Sequence, residues 1–357
     1  MIHTVNKSLE LKKQLSGKTF LITGGAGFVG SNLAKYLSTF DIESIQIIDN
    51  LLSSEKMNIP SDSRIHFLEG SIADDQVVST IQDDYDYVFH LSTYHGNQSS
   101  ICNPLADHEH NQVTTLKLFE HIKNFKKLKK IVYSAAGCAV AEKTNSDAHA
   151  TTEDAPISLI MDSPYSISKI VGEFYSVYYH KQFSLPTVRA RFQNVYGPGE
   201  ILGAGQWRGT PATIWRNVVP TFIYKALNGL SLPVEGTGES TRDFIYVEDI
   251  VRGLILCALK GKSGDVYNLA SGKETSIIEL ANLINELTGN QAPVSFLPAR
   301  NWDHSGKRFG STVKSKREIG FEAQLQVREG LRQTIKWTEN NREFIDSCIK
   351  KHLCHLI

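Results

Sequence analysis

Tyr165 and Lys169 stand four residues apart in the run Tyr165-Ser-Ile-Ser-Lys169. On a helix that spacing puts both side chains on one face, where an ammonium stabilises a phenolate and would lower the tyrosine pKa from about 10 toward working pH. A phenolate so placed takes the proton of a hydroxyl while hydride leaves the same carbon, so the pair predicts oxidation of an alcohol beside a hydride acceptor. Taken alone, the two residues could equally be a packed aromatic and a solvated charge. A second stretch, TGGAGFVG from Thr23 to Gly30, favours the chemical reading. It follows an apolar run, Thr19-Phe20-Leu21-Ile22, and leads into residues with helical apolar spacing, the order strand, glycine turn, helix. Gly24, Gly27 and Gly30 would permit a tight turn, close approach to a pyrophosphate and close helix-on-sheet packing. The amides near Phe28 and Val29 are then left at a helix N-terminus to face an anion. A second apolar run, SIQIID, ends in Asp49, 19 residues after Gly30, where a carboxylate could accept from ribose hydroxyls and would repel a 2′-phosphate. The expected cofactor is NAD rather than NADP.

The elements that must position these groups form an alternation. The runs KTFLIT, SIQIID, RIHFLEG, YVFHLS, KKIVYSAA and PTVRARF read as strands. Helices are predicted between them at about 31 to 38, 74 to 82, 104 to 123 and 164 to 182, a pattern that predicts an α/β fold with a doubly wound parallel sheet. The last two helices are long and partly apolar enough to form a dimer face. From Gly197 the chain turns glycine-rich and irregular (GPGEILGAGQWRGTPATIW) before a helix, VVPTFIYKALNG, and a mixed C-terminal part. Such a region suits a cover over the strand ends, where open α/β sheets bind ligands.

Composition bounds the class. The chain has 357 residues, enough for a cofactor domain plus a smaller partner, and 38 Lys+Arg balance 38 Asp+Glu, so neither nucleic acid nor an anionic membrane is expected as a partner. The five cysteines, Cys102, Cys138, Cys257, Cys348 and Cys354, are scattered without the paired spacing of a zinc site or the density of a disulfide scaffold, so no metal is expected and a reducing cytoplasm is. Residues 1–17 lack the apolar core of a signal peptide and read as an amphipathic or frayed lead-in.

Together TGGAGFVG, Asp49, YSISK, RFQNVYGPG at 191 to 199 and TRDFIYVEDIV at 241 to 251 resemble extended short-chain dehydrogenases/reductases, and within them NAD-dependent nucleotide-sugar epimerases and dehydratases. The resemblance runs from Lys18 to about Trp337 and is similar in STYHGNQSS and GAGQWRGTPATIWRN to epimerase/dehydratases of bacterial O-antigen loci. It implies a Rossmann-like NAD-binding domain at 18–196, rejoined by about 240–270, and a mixed α/β substrate-binding region at 197–239 and 271–345. It also implies a homodimer and a nucleotide diphosphate sugar as substrate, a UDP-sugar favoured. Lys169 would hold the nicotinamide ribose; Asn50 would follow Asp49 around the adenosine, Ser71 and Ile72 would flank adenine, and Leu91, Ser92 and Thr93 would pass beneath the cofactor. Ser71 departs from the acidic residue usual there. Asn111 matches an asparagine of the following helix. His95, Asn194 and Arg242 fall among the substrate ligands, and Arg300 or Arg308 could reach the second phosphate, Arg300 being preferred.

The departures lie in YSAAGCAVAEK, 133 to 143. Relatives place a Ser or Thr where this chain has Ala136, to bond the sugar oxygen at carbon 4; the nearest hydroxyl, Ser134, comes too early unless the loop shifts. Gly137 and Cys138 replace the Asp-Glu pair of 4,6-dehydratases. Cys138 aligns instead with the acid/base cysteine of 3,5-epimerising relatives, whose lysine partner is replaced here by Arg208 in Gln206-Trp207-Arg208-Gly209; a buried inert thiol is the alternative. Arg208 would stabilise an enolate or clamp a sugar carboxylate. The resulting expectation is an NAD-dependent nucleotide-sugar epimerase of surface-polysaccharide biosynthesis that passes through a 4-keto sugar, with inversion at carbon 3 or 5 through Cys138. The alternatives are a 4-epimerase acting by hydride return alone, a dehydratase, and a catalytically silent NAD-binding regulator.

Overall fold

The computed structural model describes residues 10–140, 146–304 and 306–356. Apolar runs that must bury both faces become the parallel strands of one seven-stranded sheet: β1 (Thr19–Thr23), β2 (Ser44–Asp49), β3 (Ile65–Glu69), β4 (Tyr87–His90), β5 (Lys130–Ala136), β6 (Thr187–Phe192) and, later in the chain, β11 (Val266–Leu269). Their order is β11-β6-β5-β4-β1-β2-β3. Successive strands run outward from β1 on one side and from β4 on the other, so the crevice above β1 and β4 is where an open sheet of this kind takes a ligand. Helix α1 (Phe28–Leu37) covers one face with α5 (Val247–Lys260), whose Ile250, Val251 and Leu254 join Phe20, Ile22 and Leu33 in one buried core. Helix α2 (Thr114–Ile122) covers the other with α3 (Pro164–Phe183), where Leu118, Phe119 and Tyr179 pack on Leu21, Val88 and Ile131.

Strand β11 escapes a reading of apolar runs because it is four residues long and carries a polar Asn268. That amide is buried and occupied, its Nδ2 donating to the carbonyls of Thr151 (2.9 Å) and Ser311 (3.2 Å). Residues 10–15 are helical and Leu15 is buried in the core, so this part of the lead-in is amphipathic rather than frayed; residues 1–9 lie outside the described residues, as do 141–143 of the YSAAGCAVAEK stretch.

Beyond β6 three small two-stranded sheets form: β7 (Asn194–Tyr196) with β10 (Phe244–Tyr246), β8 (Leu232–Glu235) with β13 (Val294–Leu297), and β9 (Thr241–Arg242) with β12 (Thr275–Ser276). A separate core of Phe222, Ile223, Val234, Leu280, Ile284 and Leu331 joins them to α4 (Val218–Leu227), α6 (Ile277–Thr288) and α7 (Val327–Asn340). The glycine-rich stretch is held down by α8 (Arg342–Lys350), Ile345 and Ile349 packing on Ile201, Leu202 and Ile214.

Helix α3 is placed with particular care. Ser163 caps it by accepting from the Ser166 amide, and Glu173 on its buried face takes both arms of Arg191 from β6, Nε at 2.8 Å and Nη2 at 2.9 Å. A bidentate, desolvated pair of this kind fixes an orientation more than it adds stability. Gly172 lets the helix ride on Tyr133: a Cβ there would lie 2.0 Å from the phenol oxygen.

Candidate active site

The ends of β1, β2, β4 and β5 open into a cavity of about 1160 Å³. Every residue given a catalytic, cofactor or substrate role from the sequence lines it except Asn111 and Arg208.

Its cofactor end is made of backbone. Gly24 has a φ of +75°, and a Cβ on it would come within 2.6 Å of the Ser92 nitrogen; one on Gly30 would come within 2.4 Å of the Gly24 oxygen. These two glycines close the turn against β4 and against itself, while Gly27, the residue before α1, meets nothing nearer than 3.2 Å and leaves the approach to the helix amides open. Asp49 is buried and already takes the amides of Ala26 (3.0 Å) and Leu51 (2.9 Å) and the hydroxyl of Ser54 (2.9 Å). Burial raises its pKa above the ordinary range against those hydrogen bonds. Asp49 lines the cavity beside Asn50, Ser71 and Ile72, a set in which a carboxylate can accept from ribose hydroxyls and an apolar side chain can flank an adenine. The residues fit a dinucleotide.

At the other end stand Tyr165 and Lys169, near the start of α3 and on one face. The expectation that the ammonium lowers the tyrosine pKa is not met. Lys169 Nζ turns to Ser134, donating to its carbonyl at 3.0 Å and its hydroxyl at 3.4 Å, and lies 5.7 Å from the Tyr165 ring centre. Desolvation, with Cys138 and Asp107 adding to it, pushes Tyr165 well above the usual tyrosine range, and only a Thr93 hydrogen bond acts the other way. Burial brings Lys169 down to about 8. Ser134 is likewise not the free hydroxyl sought for a sugar: it donates to the His90 carbonyl at 3.0 Å and serves as the seat of Lys169. Cys138, on the short helix Gly137–Val140, lines the cavity and, like Met161 and Tyr165, packs against the buried cluster of Ala136, Ala139, Val140 and Ile170.

Asn111 sits behind the wall, in a π-helical turn His108–Val113 of the kind that often marks functional sites. Its Oδ1 accepts from the Thr93 hydroxyl (2.9 Å) and the Tyr94 amide (2.8 Å), and its Nδ2 donates to Asp107 (2.7 Å). It holds the cavity wall through Thr93 and Tyr94 and does not itself line the cavity. Arg208 is turned away as well: its Nη1 holds the carbonyls of Leu52 (3.1 Å) and Gln206 (3.2 Å), fastening the glycine-rich stretch onto the loop after β2, and burial lowers it to about 10. Arg216, passed over in the sequence, is the arginine of that stretch that reaches the cavity. It holds the Ser53 carbonyl at 2.6 Å, and burial brings it to about 9. His95 lies nearby with its Nε2 buried and without a partner among the described residues; burial, then Arg216, Arg208 and Lys169, hold its pKa at about 3, so the ring is neutral.

Toward β9 the cavity is lined by Asn194, Arg242, Arg300 and Arg308. Asp243 organises this corner, its carboxylate accepting from the Ser271, Gly272 and Gly310 amides. Arg242 is buried, donates to the Thr241 and Gly306 carbonyls (both 2.8 Å) and pairs with Asp303 (3.2 Å). Arg300, preferred from the sequence, is exposed and ion-paired with Glu235. Arg308 is the buried one, with an Nε that has no partner among the described residues. Two arginines in a row of irregular polar residues gave no sequence signal to rank them; burial does.

This geometry has relatives. The Bordetella bronchiseptica enzyme WbmF, solved in complex with NAD+ and UDP, is 58% identical over 96% of this chain and 98% of its own, with a TM-score of 0.87. Epimerase Mth375 from Methanothermobacter thermautotrophicus is 39% identical over 95% and 97%, with a TM-score of 0.86. A dTDP-D-glucose 4,6-dehydratase of Dictyostelium discoideum is 27% identical, covering 93% of this chain and 84% of its own. The profile of the NAD dependent epimerase/dehydratase family matches residues 20–270. With that match spanning the seven-stranded sheet and most of the cavity above it, the chain belongs to the NAD dependent epimerase/dehydratase family.

Proposed function

We propose that this protein is an NAD-dependent nucleotide-sugar epimerase acting through a 4-keto sugar, with inversion at carbon 3 or 5, in the making of a surface-polysaccharide sugar. The observation that carries the reading is that Tyr165, Lys169 and Cys138 share one cavity with the glycine turn and Asp49. Bound NAD would supply the hydride acceptor at its nicotinamide. Asp49 would hold the adenosine ribose, the α1 amides the pyrophosphate, and Lys169, released from Ser134, the second ribose. Tyr165 takes the proton of the sugar hydroxyl. Oxidation acidifies the carbons beside the ketone; Cys138 as thiolate would remove a proton from one face to give an enolate, and a proton delivered from solvent to the opposite face would invert the centre. Arg242 and Arg308 suit a diphosphate, and a uridine nucleotide is favoured because WbmF was solved with UDP.

Dehydration is the weaker reading, because Gly137 and Cys138 offer no carboxylate to drive elimination. A 4-epimerase working by hydride return alone uses the same Tyr165 and leaves Cys138 idle. A silent NAD-binding protein would have no use for a cavity that continues past Lys169 to Arg242 and Arg308. Incubating the purified protein with a panel of UDP-sugars and following proton NMR tests the reading: a new anomeric signal without external reductant supports it, and an unchanged panel contradicts it. We also propose pairing of two copies through α2 and α3, where Ile167, Phe174 and Tyr178 are exposed apolar residues on one long helix. Phe174→Glu should convert a dimer to a monomer in light scattering.

A further inference from the structure

The wall around the Tyr165 oxygen is short of donors. Across the cavity β5 brings methyl groups, Ala135 and Ala136, both buried. Lys169 spends its ammonium on Ser134. A phenolate formed there would be a desolvated charge with too few hydrogen bonds, a costly state. The neighbouring strand offers a hydroxyl. Strands β4 and β5 pair in the register Val88 with Ile131, Phe89 with Val132 and His90 with Tyr133. Carried three residues past the last pair, that register sets Thr93 beside Ala136. Thr93 lines the cavity with Tyr165, and Ala136, which it stands beside, belongs to the small buried cluster against which Tyr165 packs.

We propose that Thr93 supplies, from the neighbouring strand, the hydroxyl that position 136 lacks, and donates to the Tyr165 oxygen whenever that oxygen carries negative charge. The inference rests on the hydride chemistry assigned to Tyr165 above. What makes it possible is the carboxamide behind the threonine. Asn111 Oδ1 must be an acceptor, because its own amide donates to Asp107 while the Tyr94 amide points at the oxygen. The Thr93 proton therefore rests on Asn111 Oδ1, leaving the Thr93 oxygen to accept from the neutral phenol. When Tyr165 loses its proton, the Thr93 hydroxyl rotates and donates to the phenolate. Asn111 Oδ1 is not orphaned, because it keeps the Tyr94 amide at 2.8 Å. No bond of Thr93 breaks; its proton changes acceptor. The relay is anchored below, where Asp107 takes the Ser168 hydroxyl at 2.5 Å and Ser168 is the residue before Lys169 on α3. Thr93 is thus a positioning residue that acts through Tyr165.

The experiment replaces Thr93 with Val, which keeps the shape and removes the hydroxyl, and with Ser, which keeps the hydroxyl. Thr93→Val should lower kcat about 10- to 100-fold near neutral pH, the worth of one hydrogen bond to a charged group. KM should hold within about two-fold, since the interaction is made only once charge develops. The ascending limb of its pH–rate profile should move up by about one unit. Thr93→Ser should stay close to wild type, and Ala136→Ser added to Thr93→Val should restore rate by offering a hydroxyl from β5. Thr93→Val with unchanged kcat and profile overturns the proposal, as does a Thr93→Ser as slow as Thr93→Val. A separate readout needs no turnover: ultraviolet difference titration of tyrosinate, wild type against Tyr165→Phe, repeated in the Thr93→Val background, should show a raised midpoint. If wild type converts no nucleotide sugar, the epimerase reading falls, while this titration still decides the role of Thr93: a midpoint equal with and without the threonine overturns it.

Discussion

The two ends of the cavity are built on different principles. Beneath Gly24 to Gly30 the site is backbone held by sterics: Gly24 touches β4, Gly30 touches Gly24, and Asp49 has three protein donors at 3.0 Å or less. Toward the sugar the site is side chains with unspent capacity. His95 Nε2, Glu200 Oε2 and Arg308 Nε all belong to residues that line the cavity and are buried with no partner among the described residues. Unsatisfied buried groups cost stability, on the order of 1–3 kcal/mol each, and are kept where a ligand completes them. The glycine end is therefore finished by folding, and on the proposed function the other end would be completed by binding.

The sharpest way to separate the two ends is to remove one oxygen between them. Tyr165→Phe should lower kcat by about 10² to 10⁴. Mass analysis of released cofactor should find NAD at the wild-type level, because nothing in the backbone cradle has changed. Lost NAD would mean that the ends are not independent.

Next in size is the unfinished end's cost to the fold. Burial raises Glu200 to about 7 from an ordinary 4.5, only partly offset by Asn217 and Arg216. Between those values the folded protein holds a proton that the unfolded chain has lost, so its contribution to stability is present below about pH 4.5 and lost as pH rises to 7. Glu200→Gln cannot ionise and should gain on the order of 3 kcal/mol over wild type at pH 8 and almost nothing at pH 4.5. Equal melting-temperature differences at both pH values would show that Glu200 is not held protonated.

A smaller effect should follow from Arg308→Ala. With a free buried donor beside Arg242, it should raise KM about ten-fold and leave kcat near wild type. The same substitution at Arg300, already occupied by Glu235, should do less. The reverse ranking would restore Arg300 as the phosphate ligand.

How much of this was legible follows from the same division. Gly30 meets Gly24, and Asp49 takes the Ala26 amide, within one strand-turn-helix-strand unit, so their spacing in the chain carries the information, although the approach of Gly24 to Ser92 does not show in it. Tyr165 and Lys169 are visible for a like reason, one turn of helix apart, although the direction of the tyrosine's pKa was not: it depends on where Lys169 points, and Ser134 sits 35 residues upstream of it. Arg208 reads from sequence as a ligand and proves to be a strap, because its partner Leu52 lies 156 residues away. Arg216 was missed on the same ground, its contact to Ser53 spanning 163 residues. Arg308 could be ranked above Arg300 only once burial was known. Strand β11 was missed for a local reason, a polar Asn268 in a run of four.

The most direct test of the account is the role of Cys138, which separates inversion beside the ketone from inversion at the ketone carbon itself. Turnover of an accepted nucleotide sugar in heavy water, read by proton NMR, should place deuterium on carbon 3 or 5 of the product, and Cys138→Ala should abolish that incorporation. Product with no deuterium on carbon, or full activity and incorporation in Cys138→Ala, would contradict the account and leave hydride return at carbon 4 as the reaction.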